Sequence, residues 1–438
     1  MLWLVVVSVL SGTPADDPAL PLALPPLDDA LLTDDGDVHA FGHGRVRAVG
    51  EDGDVDFAGA GLTARVGARG AVGDVRGSVV VGDGGWWVAP TRPTTTTTTE
   101  LAPTTLTLAR PPLLSLVQRL SVEVPLSPLG SPGQLVLGRF PLVIADGRYI
   151  GAESFDGRGR TVDGAVVEAG VGAVVVKAGV VALDLGAGRD DDHDGRADED
   201  AVSPFDAAGF VDAAVSVDDG VFDDVRVDAY VVAHHAAPTL SPTLGARAAI
   251  DAWGLRWQAG VDAQLALDET EGLQRTGGGL HGELRARTLL PWTLPTPRPF
   301  LEVGGEATGD VTAPAPTQHG FFGALDLVGL HDTAQLFSRV GVDDDTGFAA
   351  AVGWRVVGSL DDDGFVDPRG RALALGDGAT PLARFAEIDV DLTVPVADAV
   401  DVDVGWAVAI DDVGLRAQRV LIGLQFSFGD DDGLLPPL

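Results

Sequence analysis

The chain has 438 residues, no cysteine and a formal net charge of -36, with 65 acids against 29 bases. Lacking thiols, it has neither a disulfide framework nor a Cys-ligated metal, and backbone pairing and burial must hold the fold. The acidity argues against nucleic acid as a partner, because phosphate binding needs a basic face. Apolar residues make up 45% of the sequence, yet no internal apolar run reaches the length of about 18 residues that a membrane-spanning helix needs.

In chain order, Met1 to Leu10 form an apolar run that ends in Ser11-Gly12-Thr13-Pro14-Ala15. This predicts a secretory signal over residues 1–15, although the positive start typical of one is missing, and a buried first strand suits the same run. Residues 16–38 are rich in Pro and Asp and read as a linker. From there to Phe428 the texture is uniform. Segments of about 8–14 residues alternate apolar with small or polar residues between Gly, Asp and Pro punctuation.

The alternation is clear at Val225, Val227, Ala229 and Val231, which share one face, while Arg226, Asp228 and Tyr230 share the other. Val400 to Trp406 repeats it. No fixed repeat period points to a propeller or solenoid. An all-β chain of this length must dispose of its sheet edges, and closure into a cylinder does so. The expected fold is therefore all-β: a single transmembrane antiparallel β-barrel over residues 39–428, with about 16–18 strands. An acidic tail follows at 429–438. The segment Val420 to Phe428 ends in aromatics at alternate positions, as a closing membrane strand does. Periodicity alone does not decide which face is inside. A water-soluble β-fold with its apolar faces packed together is the alternative.

One stretch is distinctive. Leu137-Gly138-Arg139-Phe140 is followed by Asp146-Gly147-Arg148-Tyr149-Ile150-Gly151, and then by Gly157-Arg158-Gly159-Arg160-Thr161-Val162-Asp163-Gly164. It resembles the alginate-export family of outer-membrane barrels. Further segments fall in that family's order: Leu301 to Asp310, Thr317 to Leu330, Asp363 to Arg371 and Phe385 to Val390. The resemblance implies a passive outer-membrane channel through which an anionic polysaccharide or a small solute passes. Outer-membrane lipid surrounds such a barrel, and periplasmic export partners would feed it.

Lys177 is the one lysine, so arginines must supply the positive charge of any anion path. Arg139, Arg148, Arg158 and Arg160 cluster in the matching motif. They fit either an anion-attracting constriction or a loop held by Asp146, Asp156 and Asp163. Arg285 and Arg287 share a strand face with Glu283, in the manner of a lumen ladder. Glu302, Glu306 and Asp326 sit in or beside apolar strands. An acid on a lipid face costs on the order of 1–3 kcal/mol, so these should point into the lumen. The expected pore lining is thus Arg139, Arg148, Arg158, Arg160, Asp163, Arg285, Arg287, Glu302, Glu306 and Asp326.

Asp190, Asp192, Asp194 and Asp198, with Gly195 at a turn position, have the oxygen-ligand spacing of a calcium loop. Ala201 stands where the bidentate Glu would close it, so a solvated acidic loop is the competing reading. His234 and His235 are neighbours and point to opposite faces of a strand, which leaves them as strand-end residues. Thr94 to Thr99 read as a surface linker. Enzyme chemistry finds no support, since no nucleophile elbow, phosphate loop or metalloprotease helix is present. A rival to the channel is a non-transporting surface or binding β-protein with acidic, calcium-loaded loops.

Overall fold

The structure is a computed structural model. It describes residues 38–428 apart from 53–56, 73, 91–116, 127–131, 145–148, 152–160, 184–206, 218–223, 237, 253–254, 271, 291–296, 312–330, 345, 361–383, 398 and 412–414. The expected signal, nearly all of the linker and the acidic tail lie outside the described residues, as do Asp190, Asp192, Asp194 and Asp198. No helix among the described residues is long and apolar enough to cross a membrane.

The strands are β1 (Val38–Asp52), β2 (Phe57–Val72), β3 (Val75–Pro90), β4 (Val117–Leu126), β5 (Gly133–Phe140), β6 (Val162–Val171), β7 (Val174–Leu183), β8 (Ala207–Val217), β9 (Asp224–Ala236), β10 (Thr239–Ala252), β11 (Leu255–Gln264), β12 (Ala266–Asp268), β13 (Gln274–Gly277), β14 (Leu280–Leu289), β15 (Arg298–Asp310), β16 (His331–Asp343), β17 (Ala349–Ser359), β18 (Arg384–Ala397), β19 (Val400–Ile410) and β20 (Leu415–Phe428). Sequential neighbours pair antiparallel, and β20 returns to pair with β1 from Gly42↔Phe428 to Asp52↔Gln418. The sheet therefore closes on itself into a cylinder, which satisfies the backbone groups that neither lipid nor water-free packing leaves unpaired.

Twenty segments make eighteen staves. β12 continues β11 past Leu265, and β13 continues into β14 through Gly278 and Gly279. Both breaks sit side by side. Leu265 donates its N–H to the carbonyl of Pro242, and Gln264 donates to that of Gly279, so the wall stays hydrogen-bonded across the irregularity. Gly278 has φ near +114°, a conformation that a side chain would strain.

Burial settles which face is inside. The large exposed hydrophobics are strand residues such as Val66, Leu120, Val180, Val211, Val231, Leu244, Val261, Leu284, Leu336 and Val352. The residues between them in the same strands are buried, and many are charged: Arg65, Glu168, Asp212, Asp228, Arg247, Asp262, Glu306, Glu387, Asp389, Asp391 and Asp403. In β9 the odd positions Val227 and Val231 are exposed and the even positions Asp228, Tyr230, Val232 and His234 are buried. Apolar side chains thus cover the outside and charge lines the inside, the inverse of a water-soluble β-fold. At the closing seam Gly44 lies opposite Phe426. The aromatic ring occupies the space a Cβ on Gly44 would take, so glycine lets it lie flat on the outer wall.

Connections alternate between two rims because strand direction alternates. The long ones, 91–116, 141–161, 184–206, 311–330 and 360–383, all fall at one rim. The two-residue connections 73–74, 172–173, 253–254 and 398–399 fall at the other, together with the start of β1 and the end of β20, while one more, 237–238, falls at the long-loop rim. Short turns on one side and long loops on the other are the outer-membrane arrangement.

Candidate functional site: the inner wall

The inner wall has two unlike sectors. In the first, the segment that leaves β5 folds inward. Phe140, Leu142, Ile144, Tyr149 and Ile150 pack on Val162 and Val166 of β6, Val181 and Leu183 of β7, Ala208 and Phe210 of β8, Tyr230 and Val232 of β9, and Val311 just past β15. Ile144 and Ile150 form a bridge, with Ile144 N donating to Ile150 O at 2.9 Å. Tyr149 is fully buried and its ring centroid lies 6.1 Å from that of Tyr230. A segment packed on inward-facing side chains occupies lumen space, so the bore is narrowed on the side of β6 to β9.

The second sector, β9 to β18, is charged. Register places cross-strand neighbours on one face. One row runs Tyr230↔Gly245↔Asp262↔His281↔Thr308↔Thr333 across β9, β10, β11, β14, β15 and β16. A second runs Asp228↔Arg247↔Gly260↔Glu283↔Glu306↔Gln335, and a third Arg256↔Arg287↔Glu302↔Arg339↔Gly353↔Asp389. Glycines alternate with long side chains because the latter need room. A Cβ at Gly353 would stand 2.2 Å from Asp389 Oδ1.

These rows are cross-linked. The Tyr230 hydroxyl donates to Asp262 Oδ1, and Asp262 Oδ2 lies 2.7 Å from His281 Nδ1. His281 Nε2 lies 3.1 Å from Glu306 Oε1, and Gln335 Nε2 donates to Glu306 Oε2 at 2.9 Å. Arg355 Nη1 donates to Gln335 Oε1 at 3.4 Å, while its Nη2 and Nε lie 3.4 and 3.8 Å from Asp389 and Glu387. A continuous polar chain therefore joins the aromatic wall under the inward segment to β18. Arg247 reaches Glu283 at 3.2 Å, Arg339 reaches Asp391 at 2.8 Å, and Arg287 pairs with Asp343 while stacking 4.2 Å over Phe300. Such buried charges are tolerable because each has partners within reach.

Of the expected lining residues, Arg285, Arg287, Glu302 and Glu306 share the inward face. Arg285 lies 3.6 Å from Glu283 and 5.4 Å over the Phe337 ring. Arg139 and Asp163 do not. They face each other across β5 and β6, on the side that carries Leu120, Leu137 and Val180, and that side is the outer wall. Arg139 grips Asp163 with two bonds, Nε to Oδ1 at 3.0 Å and Nη2 to Oδ2 at 2.5 Å, next to the long-loop rim. Pairing, and proximity to the rim where lipid-facing charge costs on the order of 0–1 kcal/mol, make the outward position acceptable. Ordinary alternation puts Arg139 there, two residues from the exposed Leu137 and opposite the exposed Leu120, while Phe140 is buried on the other face; clustering within a motif does not fix the face of a strand residue. Arg148, Arg158, Arg160 and Asp326 lie outside the described residues.

His234 is buried on the inner face, and His235 meets Glu269 at 3.1 Å at the rim. Lys177 faces inward and lies 3.5 Å from Glu168. The pore lining expected from the sequence did not include Arg247, Asp262, His281, Arg339, Arg355, Glu387, Asp389 or Asp391. The signal was present in Glu387-Ile388-Asp389-Val390-Asp391, where acids alternate with apolar residues.

No family model and no curated protein matches the sequence. Solved structures do match in shape. Pseudomonas aeruginosa OccK5 (OpdH) superposes with a TM-score of 0.58 at 9% identity, covering 90% of this chain and 98% of the other. Acinetobacter baumannii OccAB4 gives 0.56 at 10% identity, over 90% and 98%. The outer membrane protein OprD from Pseudomonas aeruginosa gives 0.52 at 12% identity, over 90% and 94%. The alginate-export likeness expected from the sequence motifs finds no counterpart among these neighbours, which are porins of the OprD and Occ type. The chain shares with these structures the fold of a single closed antiparallel β-barrel.

Proposed function

We propose that the protein is a passive outer-membrane channel for small charged solutes, anionic ones included. The observation that carries this reading is the orientation of the wall: a closed cylinder, apolar outside, with ion-paired arginines and carboxylates inside. Charged groups in a bore bounded by low-dielectric lipid select solutes by sign and lower the barrier to their entry. Arg256, Arg287 and Arg339, spaced by Glu302 and flanked by Asp343 and Asp391, would offer a permeating carboxylate successive guanidinium partners without trapping it at any one.

A polysaccharide cargo, implied by the alginate-export resemblance, draws its support from arginines of which Arg139 points outward. The segment around Tyr149 further reduces the bore. Both observations favour a small solute over a polymer. The spacing of Asp190, Asp192, Asp194 and Asp198 supports a weak calcium loop beside the alternative of a solvated acidic loop, and calcium titration of the folded protein distinguishes the two.

Conductance in planar lipid bilayers tests the channel. Folded protein should insert with discrete conductance steps, and salt gradients should reveal ion selectivity. Silent membranes containing protein that migrates as a heat-modifiable barrel would refute it.

A further inference from the structure

Within the charged sector, one imidazole and two carboxylates converge. His281 and Glu283 stand two residues apart on β14, on the inner face, and Glu306 lies directly across from Glu283 on β15. One donor atom from each falls within 4.8 Å of the others. Donors that share a zinc-sized ion, each at about 2.0–2.2 Å, lie roughly 3–4 Å apart, so small side-chain rotations close this set on one ion.

The supports of a metal centre surround it. Asp262 Oδ2 holds His281 Nδ1 at 2.7 Å, which fixes the ring and turns Nε2 toward Glu306 and Glu283. Gln335 likewise orients Glu306 through its far oxygen at 2.9 Å. A carboxylate behind the imidazole and an amide behind the carboxylate are the outer partners that metal-ligating side chains use. The His281 and Asp262 side chains have no exposed surface, and that of Glu306 has 1%.

A further, independent sign comes from Thr308. It lies opposite His281 in the register and one strand repeat from Glu306, on the same inner face. The residue is 1% exposed, yet its hydroxyl makes no hydrogen bond. A buried hydroxyl without a partner costs free energy unless something at the site engages it. The ion's own water ligand would do so. Charge agrees as well: the carboxylates of Asp262, Glu283 and Glu306 face the guanidinium groups of Arg247 and Arg285, which leaves negative charge in excess.

We propose that His281, Glu283 and Glu306 bind a divalent first-row transition ion of the zinc class in the lumen wall. An imidazole nitrogen with two carboxylates suits zinc, cobalt or manganese, whereas magnesium and calcium favour all-oxygen sets. The ion takes Nε2 of His281 and one oxygen from each glutamate. Any proton on Nε2 leaves to solvent, and the Nδ1–H donates to Asp262 Oδ2. Glu283 exchanges part of its contact with Arg247 for the metal, and coordination positions stay open to water or to a permeating ligand.

Cobalt(II) added to the detergent-folded barrel tests this without recourse to transport, so its result is separate from that of the channel experiment. One cobalt per chain should bind, with visible absorption bands that zinc abolishes by competition. His281→Gln and Glu306→Gln should each weaken binding roughly tenfold or more. Heat-modifiable migration reports that the variants fold, and Glu283→Gln provides the comparison where one of them does not. Wild-type protein that takes up no cobalt at millimolar concentration, or variants that bind it as tightly as wild type, would overturn the proposal.

Discussion

The two sectors of the inner wall differ in what opposes them. Toward the long-loop rim of β6 to β9 the inward side chains are Val162, Val166, Val181, Leu183, Phe210 and Val232, and what faces them is a segment of the chain itself, whereas Glu168, Lys177 and Asp212 take inward positions nearer the short turns. Between β10 and β18 they are arginines and carboxylates, and what faces them is the bore. A stretch of barrel strand is therefore apolar on both faces where lipid lies outside and a folded-in segment lies inside. It alternates where water lies inside. Local polarity of the inner face reports where the lumen is filled and where it is open.

Three changes would break or sharpen that contrast. The largest effect is expected in the charged sector. Arg355→Met removes the cation beside Glu387, which is fully buried, and Asp389. Leaving buried carboxylates uncompensated should cost about 3–5 kcal/mol, read as a lower denaturant midpoint for barrel unfolding. The same variant should shift selectivity toward cations in a salt gradient.

In the apolar sector, Tyr149→Ala empties a fully buried site between the inward segment and Tyr230. Truncating a large buried aromatic costs about 3 kcal/mol, and here that falls on docking of the segment rather than on the cylinder. Single-channel conductance should rise while heat-modifiable migration is kept. Unchanged conductance would mean that the segment does not limit the bore.

The smallest effect belongs to the short-turn rim, outside both sectors. Asp344 Oδ1 accepts from the Thr346 hydroxyl at 2.6 Å, from Thr346 N at 2.9 Å and from Phe348 N at 3.0 Å. The Thr346 hydroxyl foremost, with the two N–H groups, holds this carboxyl below its ordinary range. A depressed carboxylate stabilises the fold above its unfolded-state pKa, and that contribution is lost as pH falls through the lower, folded value. Asp344→Asn should therefore lessen the acid sensitivity of the turn between β16 and β17 and slightly weaken its protection at neutral pH, where the carboxylate otherwise stabilises it. Hydrogen exchange of Phe348 N–H against pH measures it.

Much of the architecture was legible in the chain. Alternation at Val225 to Val231 and at Val400 to Trp406 gave strands with one wet face, and the count of segments agreed with eighteen staves. The pair Arg285 and Arg287 was placed on one face with Glu283 by parity alone, and register puts all three inside. Arg139 was expected inside from its motif, yet its parity with the exposed Leu137, opposite Leu120, puts it and Asp163 on the outer wall. The His281, Glu283 and Glu306 group was out of reach. Its members are adjacent only through the pairing of β14 with β15, and no spacing along the chain records that pairing.

By itself the sequence determined that this is an all-β chain of alternating strands in which one face of each strand is greasy and the other carries charge. That follows from the two-residue period of an extended backbone, which operates within a single strand. Only the tertiary structure decided that the greasy faces look outward, that β20 closes on β1, and that one segment turns in to cover Tyr230. Those outcomes depend on which strands pair and on what fills the space they enclose, and both are set by contacts between residues far apart in the chain.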